Sequence, residues 1–337
     1  MRDRSKIKNV RKMMGVMLAI GLISLSTQAQ IPIIFDTDFG GDADDLGALA
    51  MLNHFKNKGE INLLAVMCWN MEKHAVPAID AVNTYYGNPN LTIGCRKGEQ
   101  HVTAWNHTKV LTDNLPHDAA YETVPEATDL YRKLLSKSAD KSVVIVTVGP
   151  LMNIKKLIDS PPDTYSSLGG KELIHAKVKE FVVMGGNFPT SKDEWNFNGN
   201  MPGVTQYVLE HLELPITFSG AELGSSIKTG EVFNELPKDS PLYLGFYHFS
   251  KYAPWIKDQY NGKIVDNSTF DQTAVLYAIR GGVGQYWEKI EGGICVANES
   301  GGNTWEPTEN SNHSYLLLSM PIPEIEKELE SFMLGKF

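Results

Sequence analysis

The stretch "IPIIFDTDFGGDADDLGALAML", residues 31–52, runs apolar, then acidic, then apolar again. Five aspartates, Asp36, Asp38, Asp42, Asp44 and Asp45, fall within ten positions, separated by little except glycine. Carboxylates at that density repel one another, so the segment needs something that makes it tolerable. Its first run, 31–36, reads as a β-strand and its last as the opening of a helix. The acids therefore occupy the turn from strand to helix.

Working outward, further β-rich runs occur at 61–68, 91–95, 142–148, 178–184 and 214–220. Their unbroken Val/Ile/Leu character, without polar alternation, predicts strands buried on both faces. Helical patterns separate them at 44–57, 74–87, 124–138, 150–159 and 202–212, and a late helix is predicted over 271–281 with short strands after it. This alternation predicts an α/β fold: a mainly parallel, Rossmann-like open sheet flanked by helices on both faces. No repeat or low-complexity linker interrupts residues 30–337, so a single domain is expected there. Ligands of such sheets bind beyond the carboxyl ends of the strands. The residues found there are the aspartates, then Trp69 and Asn70, then Val148-Gly149-Pro150, Gly185-Gly186-Asn187 and Gly220-Ala221-Glu222. The acids thus fall on the ligand face.

The first 29 residues read separately. A basic segment, "MRDRSKIKNVRK", precedes the apolar "MMGVMLAIGLIS" and a small-residue end at Thr27 and Ala29, the order of a secretory signal peptide. The apolar run is too short for a permanent membrane anchor. The whole chain carries −9, and the leader holds six basic side chains against Asp3, so removing its +5 leaves −14. An exported, acidic protein is expected, in a periplasm or secreted. No basic cluster follows residue 12, which argues against nucleic acid as a partner. Cys68, Cys95 and Cys295 lie in apolar runs and are expected to be buried thiols; they are too few for a disulfide framework.

Capping of the helix near residue 44 explains Asp42 or Asp44 but not five acids. A calcium loop of the EF-hand type fails, because counting from Asp36 puts Gly40 and Gly47 where oxygen ligands belong. An aspartyl phosphatase of the haloacid-dehalogenase type also places Asp-x-Asp after its first strand, but "FGGD" replaces the residues usual there. A hard divalent cation, held by carboxylates from strand tip and helix start, removes the repulsion directly.

The segment "DTDFGGDADDLGALAML" resembles the signature of the inosine-uridine-preferring nucleoside hydrolase family, two residues longer before its final Asp pair. "TVGPLMNIKKLI", "FVVMGGNFPTSKDEWNFNGN" and "TFDQTAVLYAI" resemble three later segments of that family in the same order. The resemblance implies the nucleoside hydrolase fold and a Ca2+ ion that grips the ribose and the attacking water. Asp38, Asp45 through both oxygens, the carbonyl of Val148 and Asp271 would be its ligands. Asp38 would also be the catalytic general base. Asp44, Asn70, Glu194 and Asn196 would hold the sugar, with Asn187 standing in for a further ribose-binding Asn. The implied partner is a small-molecule nucleoside or related riboside, and the implied assembly a homo-oligomer.

One departure stands out. Phe270 occupies the place where many members have a His that helps protonate the leaving base. Trp69 and Trp195 are candidates to stack on a base, whereas His101 and His107, in the long loop 96–120, are expected to be solvated. The expected activity is calcium-dependent hydrolysis of ribonucleoside N-glycosidic bonds. The alternatives are a non-catalytic riboside or calcium binder of the same fold, and a metal-dependent phosphohydrolase.

Overall fold

The computed structural model describes residues 30–98, 103–309 and 311–337. The leader and His101 lie outside the described residues. The strands are β1 Ile31–Thr37, β2 Ile61–Cys68, β3 Ile93–Cys95, β4 Val143–Thr147, β5 Val178–Met184, β6 Thr190–Ser191, β7 Ile216–Ser219, β8 Lys228–Thr229, β9 Asn267–Ser268, β10 Trp287–Ala297, β11 Asn303–Pro307 and β12 His313–Leu318. The helices are α1 Asp44–Asn57, α2 Ala75–Tyr85, α3 Thr108–Asn114, α4 Ala127–Lys137, α5 Met152–Asp159, α6 Gly170–Lys177, α7 Trp195–Asn198, α8 Val204–His211, α9 Ala221–Ser226, α10 Pro241–Tyr252, α11 Asp271–Arg280 and α12 Ile322–Met333.

A ten-stranded sheet has the order β3-β2-β1-β4-β5-β7-β12-β10-β11-β6. Strands from β3 to β12 pair in parallel. β10, β11 and β6 then extend the sheet antiparallel. All six strands expected from the apolar runs form. The antiparallel extension was not expected, and β10 is an eleven-residue strand rather than a short one. Its outer half alternates buried and exposed side chains, so it lacks the continuous apolar run that marks the central strands. Part of the presumed loop 96–120 is the helix α3.

Side-chain alternation along β1 divides the core. Ile33 and Phe35 join one apolar cluster with α1, α2 and α11, while Ile34 joins the other with α4, α5 and α6. The same parity sends Asp36 to the α4–α5 side. There its carboxyl accepts from the Tyr131 hydroxyl at 2.8 Å and from Asn153 Nδ2 at 3.0 Å. Asp36 is therefore an internal tie between β1 and two helices. The three cysteines are buried and free. Among the described residues no helix is long and apolar enough to cross a membrane.

Candidate active site

Beyond the carboxyl ends of the parallel strands lies a cavity of about 870 Å³. Asp38, Asp44, Asp45, Asn70, Val148, Glu194, Asn196 and Asp271 all line it. Eight of the nine site residues expected from the sequence thus meet in one place, from the loops just beyond β1, β2 and β4 and from the starts of α1, α7 and α11. Asn187 does not line it. Its backbone N–H donates to Asn303 Oδ1 at 2.9 Å and its carbonyl accepts from Asn303 Nδ2 at 3.1 Å, which ties it to β11 instead.

The five aspartates divide by role. Asp36 points to the opposite face. Asp42 lies one residue before Ala43, the N-cap of α1, its Oδ1 accepting from the N–H groups of Ala43 at 2.6 Å and Asp44 at 3.3 Å. Neither Asp42 nor Asp44 is the N-cap residue, though Asp42 does satisfy an N–H group of the first turn. Asp44 and Asp45, in the first turn of α1, meet Asp271, in the first turn of α11. One carboxylate oxygen from each lies within 4.8 Å of the others, and the three residues are 2–3% exposed. Asp45 accepts from the Thr37 hydroxyl, and Asp44 Oδ2 from the Asp271 N–H at 3.3 Å. Asp271 Oδ2 is buried without a hydrogen-bond partner. Burial, reinforced by the neighbouring carboxylates, pushes all three carboxyls well above their ordinary range. An orphaned oxygen, three converging carboxylates and an all-oxygen donor set fit a hard cation such as calcium.

Asp38 stands beside this group at the tip of β1. Its Oδ2 accepts from the indole N–H of Trp195 at 3.1 Å. Burial pushes its carboxyl up to about 6, and the indole N–H holds it back from rising further. A Cβ on Gly149 would sit 2.9 Å from Asp38 Cβ, so glycine is what lets β4 approach the carboxylate. Asn196 Nδ2 donates to the Val148 carbonyl at 2.9 Å and to the Met184 carbonyl at 3.2 Å. Asn70 Nδ2 donates to the Phe39 carbonyl at 3.1 Å. Glu194 caps α7, its two oxygens accepting from the N–H groups of Gly186, Asn196 and Phe197. Burial raises its carboxyl to about 7 despite those donors. These three residues hold the strand-end loops in register while facing the cavity.

The remaining wall is largely apolar: Trp69, Met71, Trp105, Met184, Met201, Trp255 and Phe270. Trp69 is buried, whereas Trp195 and Trp255 are 53% and 54% exposed at the rim. The loop 96–120 does reach the cavity, through Thr103, Trp105 and Asn106. His107, expected to be solvated, is fully buried, its ring 5.2 Å from that of Phe39. The loop is packed down there, because the Thr108 hydroxyl donates to buried Glu72 at 2.9 Å and His107 N–H to the Gly40 carbonyl at 3.2 Å. Arg96, also in the lining, escaped the sequence reading. A signal was present: it directly follows the run 91–95, the same strand-end position that the other site residues occupy.

Comparison with known proteins places the chain in a family and a fold. The chain fits the model of the inosine-uridine preferring nucleoside hydrolase family over residues 33–314. No curated protein sequence matches it. Among solved structures it resembles a purine-preferring ribonucleoside hydrolase from Gardnerella vaginalis, with TM-score 0.67 and 16% identity over 90% of this chain and 99% of that one. It also resembles a plant nucleoside hydrolase, with TM-score 0.64 and 14% identity over 90% and 98%. An inosine-uridine preferring nucleoside hydrolase from Bacillus anthracis aligns with TM-score 0.62 and 15% identity over 91% and 100%. The chain belongs to the inosine-uridine preferring nucleoside hydrolase family, hydrolases that act on N-glycosyl compounds.

Proposed function

We propose that the chain is an exported, calcium-dependent hydrolase of ribonucleosides or closely related ribosides. The observation that carries the reading is the buried meeting of Asp44, Asp45 and Asp271, with one Asp271 oxygen unpartnered. Of that group Asp45 and Asp271 would hold calcium, together with Asp38 and the Val148 carbonyl that line the same cavity, while Asp44 would turn to the sugar. When bound, that ion supplies positive charge that fixes a ribose diol and a water molecule side by side.

The protein's own groups do the rest. Trp195 occupies one Asp38 oxygen, leaving the other to take a proton from the attacking water. As the glycosidic bond lengthens, positive charge grows on the sugar, and the surrounding carboxylates stabilise it. Asp44 accepts from a ribose hydroxyl, while Asn70, Glu194 and Asn196 shape the sugar's remaining surroundings. Removing a general base costs about 10²–10⁴-fold in rate.

The test is ribose release from a nucleoside panel, measured as reducing sugar with and without chelator. Wild type should release ribose only with calcium present, and Asp38→Asn should lose at least a hundredfold while keeping its melting temperature. Calcium binding without ribose release would make the chain a binder. Release unaffected by chelator would end the metal assignment.

A further inference from the structure

Arg96 follows β3 and is 8% exposed. Its Nε donates to the Trp69 carbonyl at 2.9 Å, and the guanidinium carbon lies 4.1 Å from the centroid of the Trp69 ring. Nη1 points to Met201 Sδ at 3.6 Å, a weak acceptor. Nη2 donates to nothing among the described residues, and no described carboxylate forms an ion pair with Arg96. Asp36 attracts it only at a distance, its own oxygens being taken by Tyr131 and Asn153, so Nη2, on a residue that lines the cavity, is left for a ligand.

The other buried arginine, Arg132, shows the contrast. Its Nε and Nη2 bond Asp163 at 2.6 and 3.1 Å, Nη1 bonds Ser160, and Nη2 reaches the carbonyls of Ser166 and Leu168. Arg96 is also the one Lys, Arg or His among the described residues that line the cavity. Phe270, in the same lining, has no proton to give.

We propose that Arg96 binds the leaving group, donating from its unpartnered N–H groups to an aglycone edge that gains negative charge as the glycosidic bond breaks. Its preferred substrates are then ribosides whose aglycone departs as a delocalised anion with acceptor atoms on one edge. This rests on the hydrolase reading above. The C1′–N bond breaks with its electron pair on the aglycone, and the water oxygen bonds C1′. The water's proton passes to Asp38, and the released anion takes a proton from solvent. Stabilisation of a charged leaving group here replaces its protonation.

The test uses full-length mature protein with uridine, inosine, phenyl β-D-riboside and 4-nitrophenyl β-D-riboside, and compares wild type with Arg96→Met and Arg96→Lys. Removing a donor aimed at developing negative charge costs about 10²–10³-fold. Arg96→Met should lose that much on uridine and phenyl riboside but only a few-fold on 4-nitrophenyl riboside, whose anion needs little help. The dependence of kcat/KM on leaving-group acidity should steepen, Arg96→Lys should fall between, and product inhibition by ribose should not change. If Arg96→Met does not fold, Arg96→Lys carries the same comparison. Equal losses on all four substrates, or no loss on any, would overturn the proposal. So would steepening produced by His101→Ala and not by Arg96→Met. Failure of wild type to release ribose from any of the four would instead remove the hydrolase reading beneath it.

Discussion

Asp36 and Asp271 are both buried carboxyls near the end of β1, and Arg132 and Arg96 are both buried guanidiniums flanking the same sheet. Although neutral atoms such as Asn153 Oδ1 and Thr128 Oγ1 stay unbonded in the α4–α5 layer, the buried charges there are answered from within, Asp36 by Tyr131 and Asn153, and Arg132 by Asp163, Ser160 and two carbonyls. At the strand tips they stay open, with Asp271 Oδ2 unbonded and Arg96 Nη2 without a partner among the described residues. Burial is the same in both places; satisfaction is not. Charges answered from within tie helices to the sheet, while buried charged groups left open beside the cavity mark places where a ligand completes the bonding.

The largest effect expected from this contrast concerns Asp271. Calcium at a hundred times its dissociation constant should stabilise wild type by about 2.7 kcal/mol. Asp271→Asn should abolish that gain, and in chelator it should melt no lower than wild type because a like charge is removed. Asp36→Asn should do the reverse, keeping the calcium response but costing about 1–3 kcal/mol through its hydrogen-bond network. Calcium titrations followed by thermal melting would decide, and a lost calcium response in Asp36→Asn would break the comparison.

Smaller effects sharpen it. Arg132→Met should lower the melting temperature, because it strands two carbonyls and Asp163. Arg96→Met should hold or raise it, because a desolvated charge disappears while the stem is replaced by a side chain of similar length. Equal losses in both would mean that Arg96 is structural.

The smallest effect is a pH dependence on the closed side. His313 is buried, its Nδ1 accepts from the Cys295 N–H at 3.2 Å, and burial holds its pKa down to about 4 against an ordinary 6.5. The unfolded chain therefore takes up the proton first. The stabilising share of His313 is complete above pH 6.5 and is lost as pH falls toward about 4. Its slope approaches roughly 1.4 kcal/mol per pH unit in that window. The stability gap between wild type and His313→Gln, measured by urea melts, should narrow by that slope on acidification. A gap independent of pH would show that the ring takes up its proton as readily in the folded chain as in the unfolded one.

Much of the architecture was legible from local pattern. β2 and β5 match their predicted runs residue for residue, as does α1, because apolar runs of strand length bounded by turn residues have few other uses. The antiparallel end was not legible. β10 and β11 are half exposed, and their pairing depends on neighbours far away in the chain. The site was legible where its residues follow recognisable strands. It failed at Asn187, whose partner Asn303 is 116 positions away, and at His107, whose burial depends on packing beneath α10.

By itself the sequence determined that aspartates crowd a strand-to-helix turn on the ligand face of a parallel sheet, since hydrophobic periodicity and strand-end placement are local properties. Only the tertiary structure decided which aspartates face inward together. Strand parity turned Asp36 to the opposite layer, and the packing of α1 against α11 brought Asp44 and Asp45 to Asp271, more than two hundred residues away. It also decided which buried charges are answered from within. Hydrogen-bond satisfaction is a property of the folded neighbourhood, and no window of sequence contains it.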